Sequence, residues 1–203
     1  MQVKVKTYEL PPIDERVTLL YAGVKKAEDT DINLIRDCAK EYVQTAGKVC
    51  YLICPIKICA DQVTFSFGKV KSKSLSQRLN GCNYAVIFAS TIGIEIDRLI
   101  KKYTVLSPTK AVIFQALGAE RIECLCDIFN DEINDSVVGS GGTTKPRFSA
   151  GYGDLPLEFQ REIFNALNPQ KHLGLYFTES LVMTPSKSVT AIIGVQAKSE
   201  ILL

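Results

Sequence analysis

Residues 145–160, KPRFSAGYGDLPLEFQ, place an arginine ahead of a tyrosine that is flanked by glycines, directly before a predicted amphipathic helix. The planar guanidinium of Arg147 can hold a carboxylate through two parallel hydrogen bonds. Gly151 and Gly153 permit backbone conformations closed to other residues, and they let a ligand approach the main chain. Tyr152 adds a ring face and a hydroxyl. The pattern favours either a loop that binds an anionic group or a turn in which the arginine pairs with a nearby acid.

A long helix is predicted over about residues 108–134, because Ser107 and Pro108 together form a helix start. The face expected to meet the core carries Phe114, Leu117, Arg121, Cys124, Leu125 and Ile128. A second face carries the carboxylates Glu120, Glu123, Asp127 and Asp131. Carboxylates one turn apart repel each other by about a few tenths of a kcal/mol. The second face is therefore either solvated or neutralised by a cation, and Glu123, at its centre, is the candidate partner of that cation.

Composition and length describe an ordinary globular chain. Of the 203 residues, 46% are hydrophobic and 23% are charged, and we expect one domain over residues 1–203. The net charge of +2, without a basic cluster among aromatic residues, argues against a nucleic-acid partner. No apolar run approaches the roughly 18 residues that a membrane-spanning helix needs, and the first residues lack the apolar segment of a signal peptide. We therefore expect a cytoplasmic protein without a membrane partner.

Seven cysteines, an odd number without paired CxxC spacing, are expected to be reduced and buried. A metal site built from Cys50, Cys54 and Cys59 is the alternative, but their spacing matches no zinc template and no metal ligand is assigned. Nucleophilic catalysis would have to use the single histidine, His172, which lies between a predicted helix stop and a strand. No GxSxG motif is present. No catalytic residue is therefore assigned.

Hydrophobic periodicity predicts helices and strands that do not alternate strictly. Strands are expected near residues 3–10, 48–54, 62–67, 84–89, 173–178 and 187–196, and helices near 13–23, 31–46, 72–82, 93–102, 108–134 and 156–167. The continuous apolar run at 84–89 is typical of a central strand. The predicted fold class is α+β, with a central twisted, mostly antiparallel sheet and flanking helices.

Together, RFSAGYGDLPLEFQ and GLYFTESLVMTPSKSVTAIIG resemble two segments of the activation (reactivation) domain of cobalamin-dependent methionine synthase. The first carries that family's Arg-x-x-x-Gly-Tyr motif. The second matches a Thr-Glu-Ser…Met-x-Pro-x-x-Ser-Val segment with Thr178, Glu179, Ser180, Met183, Pro185, Ser188 and Val189. In GAERIECLCD, Glu123 follows Gly118 by five residues, as does the family's ligand-contacting glutamate. The resemblance is specific over residues 118–194, and residues 79–93 look like the short, stand-alone members of the group.

The resemblance implies a site for S-adenosylmethionine. In it, Arg147 would clamp the carboxylate of the ligand, and Glu123 would balance its ammonium or sulfonium group. Ser149 and Gly151 would offer backbone contacts. Tyr152 would lie over the ligand or against the corrin face.

The resemblance also implies partners. Cobalamin would be carried by a separate methionine synthase, because the Asp-x-His-x-x-Gly motif that binds base-off cobalamin is absent from this sequence. A flavodoxin- or ferredoxin-type protein would donate the electron. The chain would then be an accessory protein for reductive reactivation rather than an independent enzyme.

Three departures from the family pattern leave alternatives open. Gly153-Asp154 stands where the family commonly has proline, and an aspartate near the start of the family domain has no assigned counterpart here. The family domain also continues to a tyrosine that closes over the ligand. A ligand-free interaction module that gates a corrinoid methyltransferase is therefore a second hypothesis. A free-standing enzyme that uses Tyr152 as acid or base is a third.

Overall fold

The structure is a computed structural model that describes residues 2–26, 28–43 and 46–197. Its strands are β1 (Lys4–Tyr8), β2 (Gly47–Cys59), β3 (Gln62–Phe65), β4 (Gly68–Lys71), β5 (Tyr84–Thr91), β6 (Thr143–Thr144), β7 (Tyr176–Phe177), β8 (Met183–Thr184) and β9 (Ser188–Gln196). Its helices are α1 (Glu15–Tyr21), α2 (Asp29–Glu41), α3 (Lys73–Arg78), α4 (Glu95–Leu106), α5 (Pro108–Gly139), α6 (Gln160–Leu167) and α7 (Pro169–Leu173), with a 3-10 turn at Leu157–Phe159.

The main sheet has the order β4-β3-β2-β5-β9-β6, and β1 pairs with the first half of β2. Every strand pair in it is antiparallel. β7 and β8 form a separate two-stranded hairpin. The expected α+β fold with a mostly antiparallel sheet and flanking helices is confirmed.

The sheet is buried on both faces, because successive side chains of a strand point in opposite directions. On β5, Val86 and Phe88 join a core cluster with α1, α2, α4 and α5. Ala85, Ile87 and Ala89 join a second cluster with α3, α6 and α7 on the other face. The apolar run predicted as a central strand is therefore confirmed, with its side chains divided between two cores.

Helix α5 confirms the predicted long helix and extends five residues beyond the expected end at 134. The extension carries Val137, which is 1% exposed and belongs to the first core cluster. Apolar burial thus continues the helix until Gly139, since no helix breaker stands between. Glu120 is also buried, so it does not belong to the solvated face expected from its spacing.

Other element boundaries differ from prediction. The helix predicted over 31–46 ends at Glu41, residues 44 and 45 lie outside the described residues, and Gly47 begins β2 instead of ending a helix. β2 continues past Pro55, which lies between the part of β2 that pairs with β1 and the part that pairs with β3. Pro55 is paired with Tyr84 of β5, but neither β1 nor β3 pairs with it on the other side, so the missing proline N–H is tolerated.

All seven cysteine thiols are free. Cys38, Cys50, Cys54 and Cys126 are buried as expected, but Cys59 is exposed at the end of β2. Burial raises the pKa of the Cys50 thiol to about 12, which keeps it protonated and unreactive. No three His, Cys, Asp or Glu side chains of the described residues are arranged to hold a metal ion. None of the helices in the described ranges is both long and apolar enough to span a bilayer.

Candidate functional site

The segment that follows α5 includes β6 and runs along β9 at the edge of the main sheet. The N–H of Lys145 donates to the carbonyl oxygen of Gly194 at 2.8 Å, and Phe148 and Ile192 exchange two backbone hydrogen bonds of 2.9 Å. In an extended segment such as this one, successive side chains point to opposite faces. Arg147 therefore faces α5, and Phe148 faces α3.

Arg147 meets two carboxylates of α5. Its Nη2 donates to Glu123, and its Nη1 donates to Oδ1 of Asp127 at 2.6 Å. Burial disfavours the charge of Arg147, but the hydrogen bonds to Asp127 and Glu123 outweigh it and raise the pKa of the arginine. The prediction that Glu123 meets a cation is confirmed, as is the alternative in which the arginine pairs with nearby acids. Asp131, the last acid of that face, is exposed.

A cavity of about 600 Å³ adjoins this ion pair. It is lined by Arg78, Glu123, Arg147, Phe148, Ser149, Ala150, Tyr152, Leu157, Gln160, Leu181, Val182, Met183, Ser188, Val189 and Thr190. It therefore brings together four of the five residues predicted to bind the ligand. The fifth, Gly151, has a φ of +89° and turns the chain back toward Leu157, but it does not line the cavity.

Another wall of the cavity is formed by the turn between β7 and β8. The N–H of Thr178 donates to the carbonyl oxygen of Val182 at 3.0 Å, and that of Leu181 donates to the carbonyl oxygen of Thr178 at 2.9 Å. Gln160, 3% exposed, donates from Nε2 to the carbonyl oxygen of Leu181 at 3.4 Å. The Thr-Glu-Ser segment thus shapes the turn that presents the apolar side chains of Leu181 and Val182 to the cavity.

Comparison with solved structures identifies the architecture. The chain is similar to the MetH reactivation domain bound to AdoHcy, with a TM-score of 0.70 and 14% sequence identity over 100% of this chain and 81% of that one. The chain has the fold of the MetH reactivation domain. No family model matches the sequence, and no curated protein matches it either. The resemblance inferred from the residues is confirmed at the level of the fold.

The Gly-Asp pair that departs from the sequence pattern of the reactivation domain has a structural role. The carboxylate of Asp154 accepts hydrogen bonds from the Ser72 hydroxyl at 2.6 Å, from the Lys73 N–H at 2.8 Å and from the Ser74 N–H at 2.9 Å. These hydrogen bonds lower the pKa of Asp154, and the bond from Ser72 has the largest effect. Gly153 has a φ of +57°, and a Cβ there would lie 2.6 Å from Oγ of Ser74. The pair therefore fastens the loop to the start of α3.

Several residues of the site were not predicted from sequence. Arg78, the last residue of α3, lies with its guanidinium carbon 5.8 Å from the centroid of the Phe148 ring. Gln160 and Leu157 enter the cavity from the start of the next helical segment. Spacing along the chain could not reveal Arg78, because tertiary contacts between the loop and α3, those of Asp154 among them, bring it to this loop.

The arrangement suits a zwitterion with an apolar body. The carboxylate of Glu123 and two guanidinium groups provide both signs of charge, and aliphatic side chains line the remaining wall. Tyr152 stands at the mouth and is 68% exposed. His172 lies on α7, outside the lining of the cavity, so the sole histidine is not placed to exchange protons there.

Proposed function

We propose that this chain is a single-domain accessory protein, acting in the cytoplasm, that binds S-adenosylmethionine for the reductive reactivation of a cobalamin-dependent methionine synthase. One observation carries the proposal. The Arg147–Glu123 pair borders a cavity of about 600 Å³ in a fold whose solved counterpart, the MetH reactivation domain, is bound to AdoHcy.

The site residues take complementary parts of the ligand. Arg147 has more N–H donors than its two contacts on α5 use, and those remaining can hold the ligand's carboxylate. The carboxylate of Glu123 balances the ammonium or the sulfonium. Ser149 and Gly151 offer backbone groups, and Tyr152 covers the ligand or meets the corrin face. The aliphatic wall accepts the adenosyl body.

The chemistry of methyl transfer belongs to the partner. Supplied with one electron by a flavodoxin- or ferredoxin-type donor, the partner's cobalamin would provide the acceptor for the methyl group of the sulfonium, and S-adenosylhomocysteine (AdoHcy) would remain. The chain itself binds and orients the methyl donor at its surface, next to the partner's cobalamin module.

Isothermal titration with S-adenosylmethionine tests the proposal. Arg147→Ala removes a charged hydrogen bond, and we expect it to weaken binding by about 1.5–3 kcal/mol, or roughly 10- to 150-fold in Kd. Arg98→Ala is the matched control, because Arg98 is exposed on α4 and pairs with Glu95 outside the cavity. Wild-type protein that binds neither S-adenosylmethionine nor AdoHcy would remove the proposal.

A ligand-free interaction module is the second candidate, and one observation favours it. The two carboxylates that face Arg147 already balance its charge within the chain, as in a structural ion pair. Such a module would form a complex with a methionine synthase that lacks this domain while its titration with S-adenosylmethionine stays silent. A complex whose formation requires the ligand would decide against it.

A further inference from the structure

The rim of the cavity carries a guanidinium that pairs with no carboxylate of the described residues. Arg78 lines both the cavity and an adjoining open groove of about 540 Å³. It lies over the Phe148 ring, and within the described part of the chain it makes no ion pair. Phe148 is itself fixed to β9 by its two backbone hydrogen bonds to Ile192. The stack therefore holds the arginine at the rim and leaves its N–H edge available to a ligand.

The cluster of charged groups around Arg147 differs in net charge from the surroundings of Arg78. One guanidinium there faces two carboxylates, Glu123 and Asp127, so this cluster is negative as a whole. A ligand carboxylate placed beside it would meet two like charges as well as one opposite charge. Arg147 can direct hydrogen bonds to the ligand, but it does not supply the positive potential that attracts an anion.

The two sides of the cavity therefore have opposite potentials. The α5 side is negative through Glu123 and Asp127. The α3 side is positive through Arg78, and Lys145 lines the adjoining groove without an ion pair to any described residue. A zwitterion entering this field turns its ammonium toward Glu123 and its carboxylate toward Arg78.

We propose that Arg78 supplies the charge that holds the carboxylate of the bound S-adenosyl amino acid, while Arg147 fixes the orientation of that carboxylate relative to Glu123. This assignment rests on the proposed function, since it concerns the same ligand in the same cavity. It adds to the Arg-x-x-x-Gly-Tyr loop a binding residue that lies some seventy residues earlier in the chain.

Two ligands separate this role from a general effect on the cavity. AdoHcy carries the carboxylate, whereas 5′-deoxy-5′-methylthioadenosine keeps the adenosine and the thioether without the amino-acid end. We expect Arg78→Gln to weaken AdoHcy binding by about three- to tenfold, the range of a partly exposed charged contact, and to leave methylthioadenosine binding unchanged. Arg78→Lys retains the charge and should retain most of the affinity for AdoHcy.

Arg161→Gln is the matched control. Arg161 also stacks on an aromatic ring, with its guanidinium carbon 5.5 Å from the centroid of Phe177, but it does not line the cavity. Its replacement should leave the binding of both ligands unchanged. A second measurement uses salt: AdoHcy affinity of the wild type should fall between about 0.05 and 0.5 M NaCl, and that of Arg78→Gln should fall less.

The outcomes distinguish the two proposals. If Arg78→Gln binds AdoHcy as tightly as the wild type does, and with the same salt dependence, the role of Arg78 is overturned and the proposed function stands. Equal weakening of AdoHcy and methylthioadenosine by Arg78→Gln also overturns it, because the effect would then lie with the adenosyl body. A wild type that binds neither S-adenosylmethionine nor AdoHcy overturns both proposals together.

Discussion

At the scale of single residues, the ion-paired charges of α5 divide into two groups with different roles. Glu120 and Arg121 have side chains only 5% and 4% exposed, and they pair with each other. Arg121 also donates to the carbonyl oxygens of Pro11 and Pro12. This group ties the segment after β1 to the long helix. The Arg147 group, in contrast, borders the cavity.

Replacing Arg121 by Met should be strongly destabilising. It leaves the carboxylate of Glu120 buried without its partner, and loss of one partner of a buried pair costs roughly 3–5 kcal/mol. Urea denaturation measures the change in the free energy of unfolding. Arg98→Met, which removes an exposed i,i+3 pair with Glu95, should cost less than about 1 kcal/mol. Equal losses in the two variants would contradict a buried, uncompensated Glu120.

How far the sequence predicts the site depends on where each partner lies. Glu123 and Arg147 were both recognisable, one as the centre of a stack of acids and the other as the arginine of a glycine-rich loop. Asp127 belongs to the same stack, yet its sharing of the guanidinium depends on the angle at which the loop crosses α5. Arg78 could not be foreseen, because it reaches the site only through tertiary docking.

At the scale of elements, long periodic segments were predictable, whereas short ones were predicted only in part: α3 and β3 were expected, but β4, β6, β8 and α7 were not. α5 and β5 were expected from extended helical and apolar patterns. The strand predicted over 173–178 shrank to Tyr176–Phe177, and α7 occupies Pro169–Leu173 before it. In segments this short, local propensity is weak, and capping determines where an element begins. The Asn168 side chain accepts a hydrogen bond from the Lys171 N–H and starts α7.

Helix α3 illustrates capping from a distant residue, and its stability should depend on pH. The folded pKa of Asp154 is lowered, so its contribution to folding is complete above the unfolded pKa and disappears as pH falls through the folded pKa. We expect the difference in unfolding free energy between wild type and Asp154→Asn to be constant above about pH 5 and to shrink below about pH 4.

Denaturant unfolding over a pH series measures that difference. Asp131→Asn is the control, because Asp131 is exposed on α5 and hydrogen bonds to no described residue. Its effect should stay within about 0.5 kcal/mol at every pH. An Asp154→Asn variant whose deficit grows toward acid pH would contradict the capping role of the carboxylate.

At the scale of the whole molecule, the site lies where the loop leaves the edge of the sheet. Residues 143–148 follow β9 as far as Ile192, and beyond that bridge the start of β9, Ser188–Thr190, lines the cavity instead. A ligand placed there has one side against the sheet edge and one side toward solvent beside Tyr152. A partner that presents cobalamin would approach from that open side.

The exposed tyrosine provides the test of this approach. Tyr152 is 68% exposed, so Tyr152→Ala should change the free energy of unfolding by no more than about 0.5 kcal/mol. It should nevertheless slow the return of a partner methionine synthase from cob(II)alamin to methylcobalamin, followed by the absorption spectrum of the corrinoid. Tyr176→Ala is the control, because Tyr176 is 52% exposed on β7 and does not line the cavity. If both variants reactivate the partner as fast as the wild type, the corrinoid does not meet this face of the molecule, and docking must use another surface.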